Sequence, residues 1–528
     1  MVLLLSLPLR GGISASTTLS MGKPPIVIYL SNRNRRRDIS DEKIKSTLKL
    51  FLLFNAYSWL PPGPPRRFLI GNLLDFPQNR EWLTFNQWAK EYGDLVYLDI
   101  FGTSMLFVNS YDIAKEMFDK KGNIYSNRPI STVMTDLLKL DWTLLLLRYS
   151  EKWRRTRTYF HQYFNPAIAE NYKDIHMKYV KVLLQRLYHS PENYRAHIRF
   201  SSGAAILEIT YGMQPKSETD PFVILSEETI AEITRAGLPG TYLVDIFPIL
   251  KYVPSWFPGA GFKTELARLA AKADEMATAP VNMVKAALRN GTAIPSITSS
   301  LIEQFDANPA AHPDFEEYLK IVSASCYIAG IDSTDGILLQ FLFTMLLHPE
   351  IQKRAHDELD KVVGPDYLPS LDDKKNLPYI QAIYNEMLRW NTIAPTALPH
   401  SLDADDVIGE YFIPKGTIVF GNSWSLLRSK SVYGDDADEF KPERFLDPNM
   451  PFPEPAFGFG RRHLGENSVF IFIACILHIY RILPFEDENG KEELPKAEDY
   501  DSGLVFNQIY VGVRNLSNVE LFRGLLRL

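Results

Sequence analysis

Ala456-Phe457-Gly458-Phe459-Gly460-Arg461-Arg462-His463-Leu464-Gly465-Glu466-Asn467-Ser468 is the stretch on which the reading of this chain turns. Glycines and arginines crowd its first half, and the apolar run from Ser468 to Leu483 then predicts a helix. His463 is the only nearby donor for a metal. The chain's two cysteines, Cys326 and Cys475, both lie outside the stretch. Two cysteines support no disulfide framework, point to a reducing compartment, and read as small buried apolar residues.

Working outward, 528 residues with 46% hydrophobic content are ample for a large core. The formal net charge of -6 gives no global reason to expect nucleic acid. No long linker interrupts the chain after Pro61, so residues 61–528 are expected to form one domain behind a leader of residues 1–60. In the leader, Met1 to Leu9 resembles a weak signal or a fragment of one, and Leu48 to Leu60 is too short to span a bilayer. Arg33-Asn34-Arg35-Arg36-Arg37 could touch anionic lipid, so surface attachment is the most that is expected. Pro61-Pro62-Gly63-Pro64-Pro65 reads as a stiff extended elbow.

Leu95 to Ser110 reads as a hairpin about Gly102-Thr103. Helical spacing recurs over Tyr111–Lys120, Glu151–Phe164, Asn171–Tyr188 and Phe262–Arg289, with Pro166 and Pro280 expected to punctuate. A long apolar helix is expected from Tyr318 to Leu347, then amphipathic helices over Pro349–Val363 and Tyr379–Trp390. A strand region follows from Ile393 to Phe420. The fold class is therefore mainly α with a small β region.

Several constellations carry chemistry. Glu386 and Arg389 share a helical face at i, i+3, and Pro442-Glu443-Arg444-Phe445 supplies a second arginine. Trp153 and Arg157 leave one helical face at i, i+4. Ala329-Gly330-Ile331-Asp332-Ser333-Thr334 sets an acid and two hydroxyls inside the long apolar helix. His400 stands in Leu398-Pro399-His400. Each alone has an ordinary structural explanation: a surface ion pair, a core tryptophan, a polar notch, a structural histidine.

Together, in this order, they resemble the cytochrome P-450 superfamily of haem-thiolate monooxygenases. The wording most resembles fungal secondary-metabolism members of the O-methylsterigmatocystin oxidoreductase type. The resemblance covers Pro61 to about Val505 and implies the cytochrome P-450 fold. It implies haem (iron protoporphyrin IX), contacted by Trp153, Arg157, His400, Phe457, Gly460 and Arg462, with Glu386, Arg389 and Arg444 as a structural ion triad. Asp332, Ser333 and Thr334 would relay protons for oxygen activation. Substrate walls are expected from Ser131 to Leu140, around Gly330, and from Ala394 to Leu398 and Gly503 to Val505. The partners implied are a hydrophobic small molecule, a flavoprotein NADPH reductase and a membrane surface, on the cytosolic face of the endoplasmic reticulum, with no nucleic acid.

The family pattern Phe-x-x-Gly-x-Arg-x-Cys-x-Gly puts its iron-ligating cysteine at position 464, which is Leu464 here. Both flanks match, so the simplest description is loss of a segment of the type Ile-Cys-Pro-Gly-Arg between Arg462 and His463. No metal ligand is then expected, with His463 a weak substitute. The rival reading is a catalytically inactive, haem-free relative.

Overall fold

A computed structural model describes residues 59–77, 79–238, 240–311, 313–458 and 463–486, the strand Glu492–Glu493 and three strands in the leader. The chain divides into Met1–Leu60 and Pro61–Leu528. In the first unit, Leu3–Leu9, Ile13–Leu19 and Val27–Asn32 form an antiparallel sheet, with Leu3 opposite Leu19 and Ile13 opposite Asn32. The expected signal-like segment is thus a strand: Pro8 disfavours a helix, and Ile13, Thr17 and Thr18 favour extended backbone in its partner. Residues 33–58, with the arginine run and most of the second apolar run, lie outside the described residues.

In the second unit, the proline elbow packs on the first hairpin. The hairpin strands are β1 (Leu95–Ile100) and β2 (Thr103–Val108). Tyr97 N donates to Pro62 O at 2.8 Å. A Cβ at Gly63 would stand 2.1 Å from the Tyr97 carbonyl oxygen, so this approach requires glycine. β3 (His400–Ser401) and β4 (Ile418–Gly421) complete a four-stranded sheet in the order β1-β2-β4-β3. Only the β2–β4 pairing is parallel. Phe107 faces Phe420 across it, their rings stacked 4.8 Å apart. Helix α1 (Glu81–Tyr92) covers this sheet through Phe85 and Trp88.

Helices make up the remainder of the core. They include α2 (Glu151–Phe164), α3 (Lys173–His189), α4 (Tyr194–Tyr211), α5 (Pro221–Ala236), α6 (Gly261–Arg289), α7 (Phe315–Leu347), α8 (Pro349–Val362), α9 (Pro378–Trp390) and α10 (His463–Ile479), with a further helix, Ile297–Ala307, in the same core. α7, about 50 Å long at 1.5 Å per residue, runs through the middle. Its first half packs with α4, α5 and α6, and its second half with α3, α8, α9 and α10. It passes a test of length and apolarity for crossing a membrane, but it is the buried core helix of this unit.

Two expectations are corrected here. Pro280 does not punctuate, because α6 runs through it. Proline removes one backbone bond, and burial of Pro280 with Met276, Ala277 and Val281 keeps the remaining turns in place. The apolar helix after the quoted stretch begins at His463, not Ser468, so His463 and Leu464 are its first residues instead of loop.

The Glu386 constellation is buried. Arg389 grips Glu386 with two bonds of 2.6 and 2.8 Å, and Arg444 Nε reaches the same carboxylate at 3.1 Å. The remaining Arg389 donors reach the carbonyls of Leu427, Ala437 and Glu439. Replacing Glu386 would leave the buried guanidinium of Arg389 without its anion and Arg444 with Asp436 alone. Glu386→Gln is therefore expected to cost about 3–5 kcal/mol, read as a lowered urea midpoint.

His176 is buried in α3 with neither ring nitrogen partnered, and burial pushes its imidazole down to about 4. The unfolded chain takes up this proton near pH 6.5 and the folded chain does not until about 4, so stability falls across that window as pH is lowered. Urea titrations between those limits should show the protein losing about 3 kcal/mol more than His176→Leu.

Candidate active site

Trp153 is set by the start of α2, where Ser150 Oγ accepts from Trp153 N at 3.2 Å and caps the helix. One turn on, the Arg157 guanidinium lies over the Trp153 ring, 4.7 Å from its centre. Next to this pair comes a residue the sequence reading passed over, Arg128. Its Nη1 donates to Leu398 O at 3.1 Å and Pro399 O at 2.9 Å, the two carbonyls before His400. Ser401 N donates to Asn127 O at 2.8 Å, and Asn127 Oδ1 accepts from Tyr149 N and Arg148 Nε. These bonds draw the segments about 128, 148 and 400 together.

His400 is held by β3, opposite Val419. Its ring bonds the backbone of Tyr125, while Nδ1 is buried without a partner. Burial, with the charge of Arg128 adding to it, pushes the imidazole down to about 3, so His400 is neutral. Burial and the charge of Arg157 lower Arg128 to about 10.

On α7, the buried middle of the helix is opened at Ala329, which is exposed, and at half-buried Ile328, Gly330, Asp332 and Ser333. Gly330 lies where α7 crosses α4: a Cβ there would meet Ile206 Cγ1 at 2.8 Å, and one at Gly203 would meet Ile331 Cδ1 at 3.3 Å. Ser333 Oγ donates back to Ala329 O at 2.7 Å, a bond that competes with the helix ladder. Asp332 turns to α4, where Arg199 Nη1 donates to it at 3.1 Å and to Asp335 at 3.3 Å, and Arg199 Nε donates to Glu227 at 3.1 Å. These groups line a cleft of about 380 Å³. Burial raises the Asp335 carboxyl to about 6. Thr334 is buried. The expected relay residues share one stretch of helix, but Asp332 and Ser333 send their hydrogen bonds to different partners.

On the opposite side, half-buried Phe457 stacks on Phe452 at 6.1 Å, and Ser423 Oγ donates to Pro455 O at 2.8 Å. Gly460 and Arg462 lie outside the described residues, as do Gly503 to Val505. The head of α10 is fixed by Lys374, whose Nζ donates to Glu466 at 2.9 Å and Asn467 at 3.0 Å. Cys475 lies eleven residues beyond Leu464, about 16 Å along a helix. It is buried in the core, its Sγ 3.4 Å from Pro369 O. Cys326 is buried in the cluster around the first half of α7. Burial holds both thiols protonated. Among the described residues no cluster of His, Cys, Asp or Glu could hold a metal ion.

With this geometry in place, the comparisons assign the class. The family model for cytochrome P450 matches residues 61–507. The chain is 38% identical over 443 residues to cytochrome P450 monooxygenase COX2 of Coprinopsis cinerea, covering 82% of this chain and 84% of that protein. It is 36% identical over 462 residues to cytochrome P450 monooxygenase 98 of Postia placenta, covering 85% of this chain and 88% of that protein. The chain belongs to the cytochrome P450 family, whose activity is haem-dependent oxygenation of small molecules with the help of redox partners.

The described residues fit the haem's edge better than its metal. Arg128, Arg157 and the unpartnered Nδ1 of His400 suit carboxylate groups, whereas no sulfur is placed to bind iron. Arg128 had no pattern to announce it, since its role comes from carbonyls some 270 residues away. Arg199 could have been noticed as a charge in a helix where only Glu208 among the residues after it carries another.

The Gly330 contact makes a testable pair. Gly330→Ala should cost about 1–3 kcal/mol in urea unfolding by overpacking against Ile206. Adding Ile206→Ala should recover most of that loss, because the added methyl then occupies vacated space.

Proposed function

We propose that this architecture is that of a haem-dependent monooxygenase, built to insert one oxygen atom from O2 into a hydrophobic small molecule, and that the chain with this sequence forms no thiolate-ligated iron. Electrons would come from NADPH through a flavoprotein reductase, at the cytosolic face of the endoplasmic reticulum membrane. The first part is supported by the family and by relatives named as monooxygenases over most of the chain. The observation that carries the second is the position of the sulfurs: Cys326 and Cys475 are both sealed in packed cores and held as thiols.

In this reading Trp153, Arg157, His400 and Arg462 hold the carboxylates of the haem, joined by Arg128, while Phe457 and Gly460 shape the loop beneath it. Glu386, Arg389 and Arg444 are structural. Asp332, Ser333 and Thr334 belong to the oxygen side. When bound through a thiolate, haem supplies oxygen activation, since the thiolate pushes electron density toward the O–O bond. Leu464 has no lone pair to offer. Such a protein keeps a hydrophobic binding site without the reaction.

The test is the visible spectrum of the purified chain, reduced and exposed to carbon monoxide. The expected result is no Soret band at the far-red position of thiolate ligation. Such a band would overturn the second part. Inserting Ile-Cys-Pro-Gly-Arg between Arg462 and His463 should then produce that band, together with NADPH-dependent oxygenation when a reductase is supplied. Failure of the insertion to restore haem would count against the first part.

A further inference from the structure

The cleft between α4, α5 and α7 gathers more negative charge than its own cations balance. Arg199 donates to one oxygen of each of three carboxylates: Oε1 of Glu227, Oδ1 of Asp332 and Oδ2 of Asp335. Among the described residues, nothing donates to their other oxygens. Asp335 is the inner member, its side chain 6% exposed and its Oδ1 sealed from water without a partner. Glu227 and Asp332 are the outer members, with side chains 36% and 14% exposed, and their second oxygens are not sealed. Arg195 also lines the cleft, so three negative charges face two positive ones. Burial raises the Asp335 carboxyl to about 6, and the charges of Asp332 and Glu227 push the same way against the pull of Arg199.

The space of about 380 Å³ is that of a small-molecule site, and Ile230, Ala231 and Leu339 give it an apolar wall. The carboxylates form no cluster that could hold a metal ion. Arg199 spans Glu227 and Asp332 through Nε and Nη1, so the two stand at the spacing of a guanidinium fork. We propose that this cleft binds a small organic cation, a guanidinium on a short apolar chain. Its donors take the open oxygens of Glu227 and Asp332, and its chain lies on Ile230, Ala231 and Leu339. The guest supplies the positive charge that the three carboxylates lack. Asp332 thereby gains a ligand different in charge from the hydrophobic molecule proposed above, and the site needs no iron.

The experiment is calorimetric titration of the full chain with n-butylguanidinium and, as a neutral ligand of similar length, n-butanol. The expected result is a single site for the cation, with a dissociation constant at least about tenfold below that of butanol. Glu227→Gln should weaken the cation at least about fivefold and leave butanol unchanged, which also shows that the variant is folded. Glu228→Gln, whose carboxylate faces Lys272 on α6 instead of the cleft, should change neither. Between about pH 5 and about pH 7.5 binding of the cation should tighten, because Asp335 loses its proton near 6 while the guanidinium stays charged. Equal binding of cation and butanol, or no saturable binding below about 10 mM, would overturn the proposal. So would an equal loss in Glu227→Gln and Glu228→Gln, or affinity for the cation that does not rise with pH.

Discussion

Glu386 sits at the point where the helical core and an irregular segment are joined. Residues 427–444 have little regular structure, so their backbone carbonyls need donors from elsewhere. The two arginines supply them. Arg389 reaches three of these carbonyls and Arg444 reaches those of Tyr433 and Asp436, while the Glu386 carboxylate meets both cations and Asp436 adds a second anion for Arg444. The carboxylate also accepts from Lys441 N at 2.7 Å, which closes the turn leading into Arg444. Without Glu386 the segment would carry Arg389 as a buried charge with no anion, and Arg444 would keep only Asp436.

The second constraint is the crossing of α7 and α4. Gly330 and Gly203 let the two helices approach until a methyl group would collide. The contact decides what the acid of the motif can touch. Because α4 is drawn in so tightly, Asp332 meets Arg199 in the cleft beside it, and Ser333 turns its hydroxyl back on its own helix. Arg199 serves Asp332, Asp335 and Glu227 at once; Asp335 keeps one buried oxygen unpartnered, and burial raises its carboxyl to about 6 against the pull of Arg199. The polar groups of this region form one coupled cluster, so a change at Arg199 would be felt by all three carboxylates.

Much of this was legible in the sequence because it is written in local spacing. The helices 151–164, 315–347 and 378–390 announce themselves by apolar period, and Glu386 and Arg389 by their separation of one turn. The hairpin about Gly102 follows from alternation. Arg128 was not legible, because its partners are fixed by tertiary approach and no spacing encodes that. Pro280 was misread for a related reason: local propensity marks a break, and burial against neighbouring helices overrides it. The start of α10 was placed late because His463, Leu464 and Gly465 lack an apolar pattern. Lys374, held far away in sequence, is what secures that first turn.

The two flanks of the quoted stretch are anchored separately. Upstream, Phe457 lies on Phe452 and Pro455 is tied to Ser423; downstream, α10 is tied to Lys374 and packed among α3, α8 and α9. The bonds of both anchors are made by residues outside that connection. These anchors do not depend on its length, so cellular quality control, which senses exposed core and unfolding, finds both flanks packed. A chain that had lost its chemistry at this point would still be made, melt cooperatively and persist, so its abundance would say nothing about its activity.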